Sequence, residues 1–422
     1  MDPGRPRRQE CGETAVDSEG AVKASWRQTE LGEICDITIG RTPPRNEPTF
    51  WDVNRENSNV WLSIADLANA QAGIISDSKE YISEAGASRS KIVKAGTLLL
   101  SFKLTLGRLA IAGKDLYTNE AIAALTIRDP SQLNQKFLSY SLGFFDWNRA
   151  TDGDVKLKGR TFNKAKLSKL IVGFPTLMEQ ERTVAILDEA FDGIAAARAN
   201  AERSIQKATD LFTDFVRTIV TKRSHGWAEM PLALVSSEFG RGKSRHRPRN
   251  APKLYGGPYP FIQTGDVSNA DHWLTSYTQT LSEIGLAQSR LWPKGTVCIA
   301  IVGATVGETA ILDFEACFPD SVIGIVVNPK VADNEYVEYL LQGFKAVLKE
   351  KGKGTARDNI NMGTFENQKF PFPPLNQQKQ IVATIFALRE KTRLLCSIYK
   401  QKLEALEALK QSLLHQAFTG KL

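Results

Sequence analysis

The sequence predicts an α+β protein made by duplication. Two similar mixed α/β domains are each followed by a long helix, and the helices pair antiparallel as a coiled coil, giving the chain a pseudo-two-fold internal repeat. Three observations predict this: a repeat with a period near 200 residues, a proline stop late in each half, and a heptad-spaced apolar stripe after each stop. The segment Trp61-Leu62-Ser63-Ile64-Ala65-Asp66-Leu67 lies over Phe261-Ile262-Gln263-Thr264-Gly265-Asp266-Val267 at an offset of 200. Gly107, Ala110 and Ile111 match Gly307, Ala310 and Ile311 at 200, and Gly96-Thr97 matches Gly295-Thr296 at 199. Phe174-Pro175 matches Phe372-Pro373 at 198, as Thr221 matches Thr419. Chance similarity would not hold register for so long.

Within the halves, Leu98-Leu99-Leu100, Ala121 to Ile127, Val297 to Val302 and Val322 to Val327 read as strands, being short apolar runs between turn residues. Leu133 to Leu142 and Glu335 to Leu348 read as short helices. After the first stop, Val184, Leu187, Phe191, Ile194, Arg198, Ala201, Ile205, Ala208, Phe212, Phe215 and Ile219 recur at alternating spacings of three and four. After the second, Ile385, Leu388, Thr392, Leu395, Tyr399, Lys402, Leu406, Leu409 and Leu413 do the same less cleanly. This is the pattern of a coiled-coil seam. At 1.5 Å per residue each helix would run roughly 60–67 Å. The expected division is a polar tail over 1–24, domains over 25–176 and 224–374, and helices over 177–223 and 375–422.

Composition narrows the function classes. The chain has 422 residues, 42% hydrophobic and 24% charged, which suits sizeable cores rather than a disordered or fibrous chain. Five scattered cysteines without a C-x-x-C give no disulfide framework or zinc module and suit a reducing cytoplasm. The longest apolar stretch, Gly295 to Gly307, is too short for a membrane helix. The start of the chain (Arg5, Arg7, Arg8, Glu10) has no apolar run that would read as a secretory signal.

Catalytic signatures are not recognisable. Gly242-Lys243-Ser244 ends like a phosphate-binding loop, but Ser237 stands where its first glycine belongs. No G-x-G-x-x-G occurs, and Phe372-Pro373-Pro374-Leu375 lacks the amide or acid and the aromatic of an amino-methyltransferase loop. The four histidines are too dispersed for a metal site, so no metal ligands are assigned. Asp66 and Asp266 are repeat-matched carboxylates whose simplest role is to cap a turn after a strand.

The net charge of +7 is informative because it clusters. Phe239 to Gly265 contains no acid but holds Arg241, Lys243, Arg245, His246, Arg247, Arg249 and Lys253, broken by Gly, Ser and Pro as in a loop. Such a loop suits phosphate contacts, and arginine also matches the O6 and N7 edge of guanine. The first half offers Gly40, Arg41, Thr42 and Arg45, with the Gly-Arg start aligned to Gly240-Arg241. A second basic cluster precedes each proline stop: Lys156, Lys158, Arg160, Lys164, Lys166 and Lys169, then Lys345, Lys349, Lys351, Lys353 and Arg357. Their glycines imply loops, and the turn from Lys103 to Arg108 is a third candidate. Paired basic loops on matched domains read as edges of a DNA-binding cleft.

These residues resemble the specificity subunits of type I restriction–modification systems. The resemblance covers the chain after about Ala24 and rests on Gly40-x-Thr42-Pro43, the segment at Trp61 and its copy at Phe261, Leu177-x-x-Gln180 and Leu375-x-x-Gln378, and the final Gln416-Ala417-Phe418-Thr419-Gly420-Lys421-Leu422. Gly242-Lys243 stands where the aligned first half has Thr42-Pro43. The resemblance implies two target recognition domains, each reading half of a split DNA site, on a chain that is not itself catalytic. It implies that the helices space these domains and dock two modification subunits. Those partners would carry S-adenosylmethionine, and a joining restriction subunit would use ATP and Mg2+, in a bacterial or archaeal cytoplasm. The competing readings are a single-chain methyltransferase with an unrecognised cofactor site and a coiled-coil scaffold that binds only proteins.

Overall fold

A computed structural model describes residues 26–70, 73–147, 155–156, 159–244, 251–352, 360, 362–366 and 368–422. The chain divides into two compact units, residues 1–199 with 403–422, and residues 200–402.

In the first unit a five-stranded sheet runs in the order Cys35–Ile39, Ile122–Ile127, Leu98–Ser101, Leu109–Ala112, Ile74–Ile75. A four-stranded sheet runs Glu80–Tyr81, Val60–Leu62, Leu116–Thr118, Ile92–Val93. The second unit has the same two sheets in the same order. Its five strands are Ser236–Arg241, Val322–Val327, Val297–Ala300, Thr309–Leu312 and Trp273–Leu274, and its four are Gln279–Leu281, Tyr255–Phe261, Ala316–Cys317 and Leu291–Trp292. Apolar runs such as Leu98-Leu99-Leu100 and Val297-Cys298-Ile299 are buried on both faces, which is why they show no alternation of polar and apolar residues. A two-stranded ribbon closes each domain, Arg27–Glu30 against Ile171–Phe174 and Ala228–Met230 against Phe370–Phe372.

The long helices span Leu177–Thr221 and Leu375–Phe418, 45 and 44 residues. Thr176 and Glu179 cap the first with reciprocal side-chain to backbone bonds. Gln180 and Gln378 are fully buried at equivalent points one turn in. Gln180 Oε1 accepts from Asn134 N–H at 2.8 Å, while its Nε2 donates to Gln132 O at 2.8 Å and Pro175 O at 2.9 Å. Gln378 does the same with Asp333 N–H at 2.9 Å, Val331 O at 3.3 Å and Pro373 O at 2.8 Å. The motif glutamine thus satisfies three backbone groups where strand, helix start and domain meet.

In the first unit Val184, Leu187 and Phe191 share a core with Leu413, Leu414, Ala417 and Phe418. In the second, Phe212, Phe215, Val216, Ile219 and Val220 share one with Ile381, Val382 and Ile385. The start of one helix therefore meets the end of the other, as the antiparallel expectation required. The stripe itself is displaced in places. Arg198 is exposed and Ala197 half-buried, and Val216 and Val220 are buried more deeply than Phe215 and Ile219. Leu395 and Leu409, expected in the seam, are 41% and 48% exposed, and Cys396 and Lys410 take the half-buried positions beside them. An ideal helix drifts against a strict heptad, so a neighbouring residue takes over along a straight stretch.

Candidate nucleic-acid interface

In the first unit the chain leaves the strand Cys35–Ile39 and crosses the end of Leu116–Thr118. Gly40 N–H donates to Ile122 O at 3.3 Å and Arg41 N–H to Thr118 O at 2.7 Å. The second unit repeats the crossing, with Gly242 N–H on Val322 O at 2.9 Å and Lys243 N–H on Phe318 O at 3.0 Å. A Cβ at Gly40 would lie 2.2 Å from Thr118 O, and one at Gly242 2.1 Å from Phe318 O. Neighbouring backbone therefore restricts both positions to glycine.

This corrects the alignment of the loops. Arg241 pairs with Ile323 as Ile39 pairs with Ala123, so the counterpart of Arg41 is Lys243, not Arg241. Gly242-Lys243 is the counterpart of Gly40-Arg41 and does not replace Thr42-Pro43. The strand Ser236–Arg241 carries an extra residue at a register shift between Ser236 and Glu238, which a constant offset cannot reveal.

Other predicted residues fall into distinct settings. Arg41 is exposed, and its Nη1 donates to Arg89 O at 3.5 Å. The Arg45 guanidinium lies 4.1 Å from the Trp51 ring and 4.7 Å from the Trp61 ring and pairs with Glu80. Thr42 Oγ1 donates to Glu120. Burial opposes ionisation of Glu120, but the Thr42 bond and the nearby Lys103 and Arg45 charges hold its carboxyl below the usual value. Lys103, Lys156 and Arg160 come together on a three-stranded sheet, with Lys103–Leu104 pairing Gly159–Thr161 and the latter pairing Val155–Lys156. Arg241 and Lys243 are exposed. Lys158, Arg245, His246, Arg247, Arg249, Lys353 and Arg357 lie outside the described residues.

The second basic clusters are not simply loops. Lys164 and Lys166 lie on the short helix Lys164–Ser168, and Lys345, Lys349 and Lys351 on the helix Asn334–Gly352. The described part of that helix reaches Gly352, further along than Leu348. Lys345 pairs with Glu308 at 2.6 Å.

Sequence reading passed over Arg89, Ser90 and Lys91, which follow the short helix Glu84–Ser88. With Ile39, Gly40, Arg41 and Ser88 they line a cavity of about 700 Å³. The signal was the run Ser88-Arg89-Ser90-Lys91, which lacks glycine and proline and does not stand out as a loop. In the second unit a neutral cavity of about 390 Å³ is lined by Ser244, Tyr255, Phe261, Gln263, Gln279, Pro319 and Ser321.

Asp66 and Asp266 act as caps. Asp66 accepts from Ser63 N–H at 2.8 Å and Ser63 Oγ at 2.6 Å, and Asp266 from Gln263 N–H at 2.7 Å. Cys35, Cys298 and Cys317 are buried, and burial pushes all three thiols up, Cys35 to about 12. None is an activated nucleophile.

A buried polar network ties the second domain to its helix. His272, 5% exposed, hydrogen-bonds Glu338 through Nδ1 at 2.7 Å, faces Glu335 from Nε2 at 3.4 Å, and stacks on Tyr339 at 4.5 Å. Glu338 is fully buried and also accepts from Thr309 Oγ1 at 2.6 Å and Gln342 Nε2 at 2.5 Å. Arg389, from the second long helix, donates to Asp271 O at 2.6 Å. The matched place in the first unit is simpler, with Lys136 Nζ at 2.7 Å from Asp188 and Tyr140 bonded to the same carboxylate.

The profile of the type I restriction modification DNA specificity domain matches residues 23–203 and 237–408. A putative type I restriction enzyme MjaX specificity subunit from Methanocaldococcus jannaschii is 23% identical, over 96% of this chain and 95% of its own length. A chain solved for the structural basis of complex assembly and conformational transition of the type I R-M system superposes with a TM-score of 0.75 at 20% identity, covering 95% of this chain and 100% of that one. The HsdS subunit from Thermoanaerobacter tengcongensis gives 0.57 at 19% identity, covering 97% and 100%. The two structures establish the shared fold, and the profile covers both halves. The chain belongs to the specificity subunits of type I restriction–modification systems.

Proposed function

We propose that this chain is the non-catalytic DNA-reading subunit of a type I restriction–modification complex, each domain reading one half of a bipartite site. The supporting observation is the pair of glycine crossings. Two domains with the same sheet order launch a cation-led loop from the same point, Gly40-Arg41 and Gly242-Lys243, and the residues beyond differ between the copies. A shared scaffold with different loops suits two readers of different half-sites. Lys103, Lys156 and Arg160 in the first domain, and Lys351, Lys353 and Arg357 in the second, would add phosphate contacts. Glu120, held ionised, offers an acceptor of the kind that reads cytosine N4.

The helices would set the gap between half-sites and dock two modification subunits. Phe386, Leu394, Leu395 and Ile398 on the second long helix are 52%, 65%, 41% and 51% exposed, an apolar surface left over from the seam. Modification subunits seated there would bring S-adenosylmethionine, and restriction subunits ATP and Mg2+.

The direct test is the triple variant R245A/R247A/R249A in the assembled complex. The expected result is weaker DNA binding with a flatter salt dependence, by about 0.9 in slope per lost phosphate contact. Unchanged affinity across several salt concentrations would overturn the assignment of that loop. The ruler is tested by inserting four residues near Ala201, which adds about 6 Å and nearly preserves the apolar face. At about 3.4 Å per base pair, the methylated motif should gain one or two unread base pairs with both half-sites intact. Two inserted residues rotate the face by roughly 200° and should lower activity. A four-residue variant with the original gap at full activity refutes the ruler.

A further inference from the structure

The cavity beside Gly40 has the chemistry of an anion seat. Its lining residues are Ile39, Gly40, Arg41, Ser88, Arg89, Ser90 and Lys91: three cations, two hydroxyls and no acid. Ser90 Oγ is buried without a hydrogen-bond partner, and so is Thr118 Oγ1. A Cβ at Gly40 would lie 2.2 Å from Thr118 Oγ1, so the Thr118 side chain packs directly against the glycine. Buried hydroxyls are normally satisfied, and an unpartnered Ser90 hydroxyl in a lining that holds three cations calls for an acceptor.

The second unit supplies the comparison. Its short helix Glu283–Ala287 is capped by Ser282 as Glu84–Ser88 is by Ser83, which matches Ser90 to Ser289 and Lys91 to Arg290. There Ser289 Oγ donates to Lys243 O at 2.9 Å. Arg290 pairs with Glu238 and lies 4.1 Å from the Trp292 ring, and Phe318 stands where Thr118 does. The same framework is closed internally in one copy and open in the other.

We propose that the Arg41–Arg89–Lys91 cavity seats a backbone phosphate of bound DNA, with Ser90 as a neutral donor to the same group. This rests on the DNA-reading function proposed above and adds a clamp on the first domain alone. Arg89 would offer its guanidinium from a fixed base, since it packs 4.9 Å from the Phe50 ring. A phosphate contact carries register but no sequence. The clamp should therefore act equally on correct and altered half-sites.

The test uses the assembled complex with Arg89→Gln/Lys91→Gln, Ser90→Ala and the conservative Arg89→Lys, each checked for unchanged thermal unfolding. Binding of a cognate duplex and of one with the first half-site scrambled is measured across salt. The double variant should lower the slope of log affinity against log salt by about 0.9 per lost contact, on both duplexes. Over a fourfold rise in salt that is about a 3.5-fold smaller loss of affinity per contact. Arg89→Lys should keep most of the slope, and Ser90→Ala should weaken binding without changing it. An unchanged slope in the double variant, with the unmodified complex still salt-dependent, overturns the clamp and leaves the DNA reading intact. Salt-independent or absent DNA binding by the unmodified complex overturns both. Inorganic phosphate titrated against the full chain separates the sources: binding lost in the double variant, with the DNA slope unchanged, identifies free phosphate as the ligand and refutes the DNA assignment.

Discussion

Replacing Glu338 with alanine is expected to destabilise the second unit by about 3–5 kcal/mol, because removing one partner strands the other buried polar groups. Glu338 has no exposed surface and serves His272, Thr309 and Gln342 at once. The effect should depend on pH. Burial works against charging His272, but the bonds to Glu335 and Glu338 outweigh it and raise its pKa above 6.5. Glu335 is lowered from 4.5 chiefly by its bond to His272, with Arg389 adding in the same direction. A raised histidine contributes stability fully below pH 6.5 and loses it as pH rises through its folded value. A lowered carboxylate contributes above 4.5 and loses it as pH falls. Both contributions are therefore present together between about pH 4.5 and 6.5. Thermal unfolding of the second unit from pH 4 to 9 should show stability declining above that window, and Glu338→Ala should flatten the decline. A variant as stable as the parent, with the same pH profile, contradicts the network.

Phe418→Ala is expected to destabilise the first unit by about 3–5 kcal/mol and to spare the second. Phe418 is 5% exposed and packs against Phe137 at 5.3 Å, Phe144 at 5.8 Å and Trp26 at 6.5 Å. The residue lies almost 400 positions from Trp26 in sequence but shares its core. Hydrogen exchange should quicken over Leu98–Phe144 and stay unchanged over Val297–Leu348. Equal loss of protection in both segments would show that the units do not unfold independently.

The repeat made the scaffold legible because buried strands and helix seams constrain residue type strongly. Trp61 and Phe261, Leu98 and Val297, and Gln180 and Gln378 all occupy equivalent places. The site was less legible because loops carry insertions that a fixed offset misaligns. Strand pairing makes Lys243 the partner of Arg41, two residues beyond the match at an offset of 200, and the register shift at Ser236/Glu238 supplies one of the two. Charge counting also could not separate free cations from engaged ones. Arg45 is held between two tryptophans and Glu80, whereas Arg89 and Lys91 line an open cavity. The exposed Leu395 and Leu409 show the limit of a heptad pattern, which gives the stripe but not which of two adjacent residues fills it.

The placement of Leu414, Ala417 and Phe418 in the first unit's core also bears on how the chain folds as it is made. The ribbon joining Arg27–Glu30 to Ile171–Phe174 can close once residue 174 has emerged, but the apolar surface beneath Phe418 stays uncovered for some 240 residues more. At about 5–20 residues per second that is roughly 12–50 s of synthesis. The second unit meets no such delay, since Phe212, Val216 and Val220 precede it and Ile381 to Ile385 follow it directly. The domain synthesised first is thus the one completed last, and during that interval its open core is the chain's main exposure to aggregation and the surface a chaperone would cover.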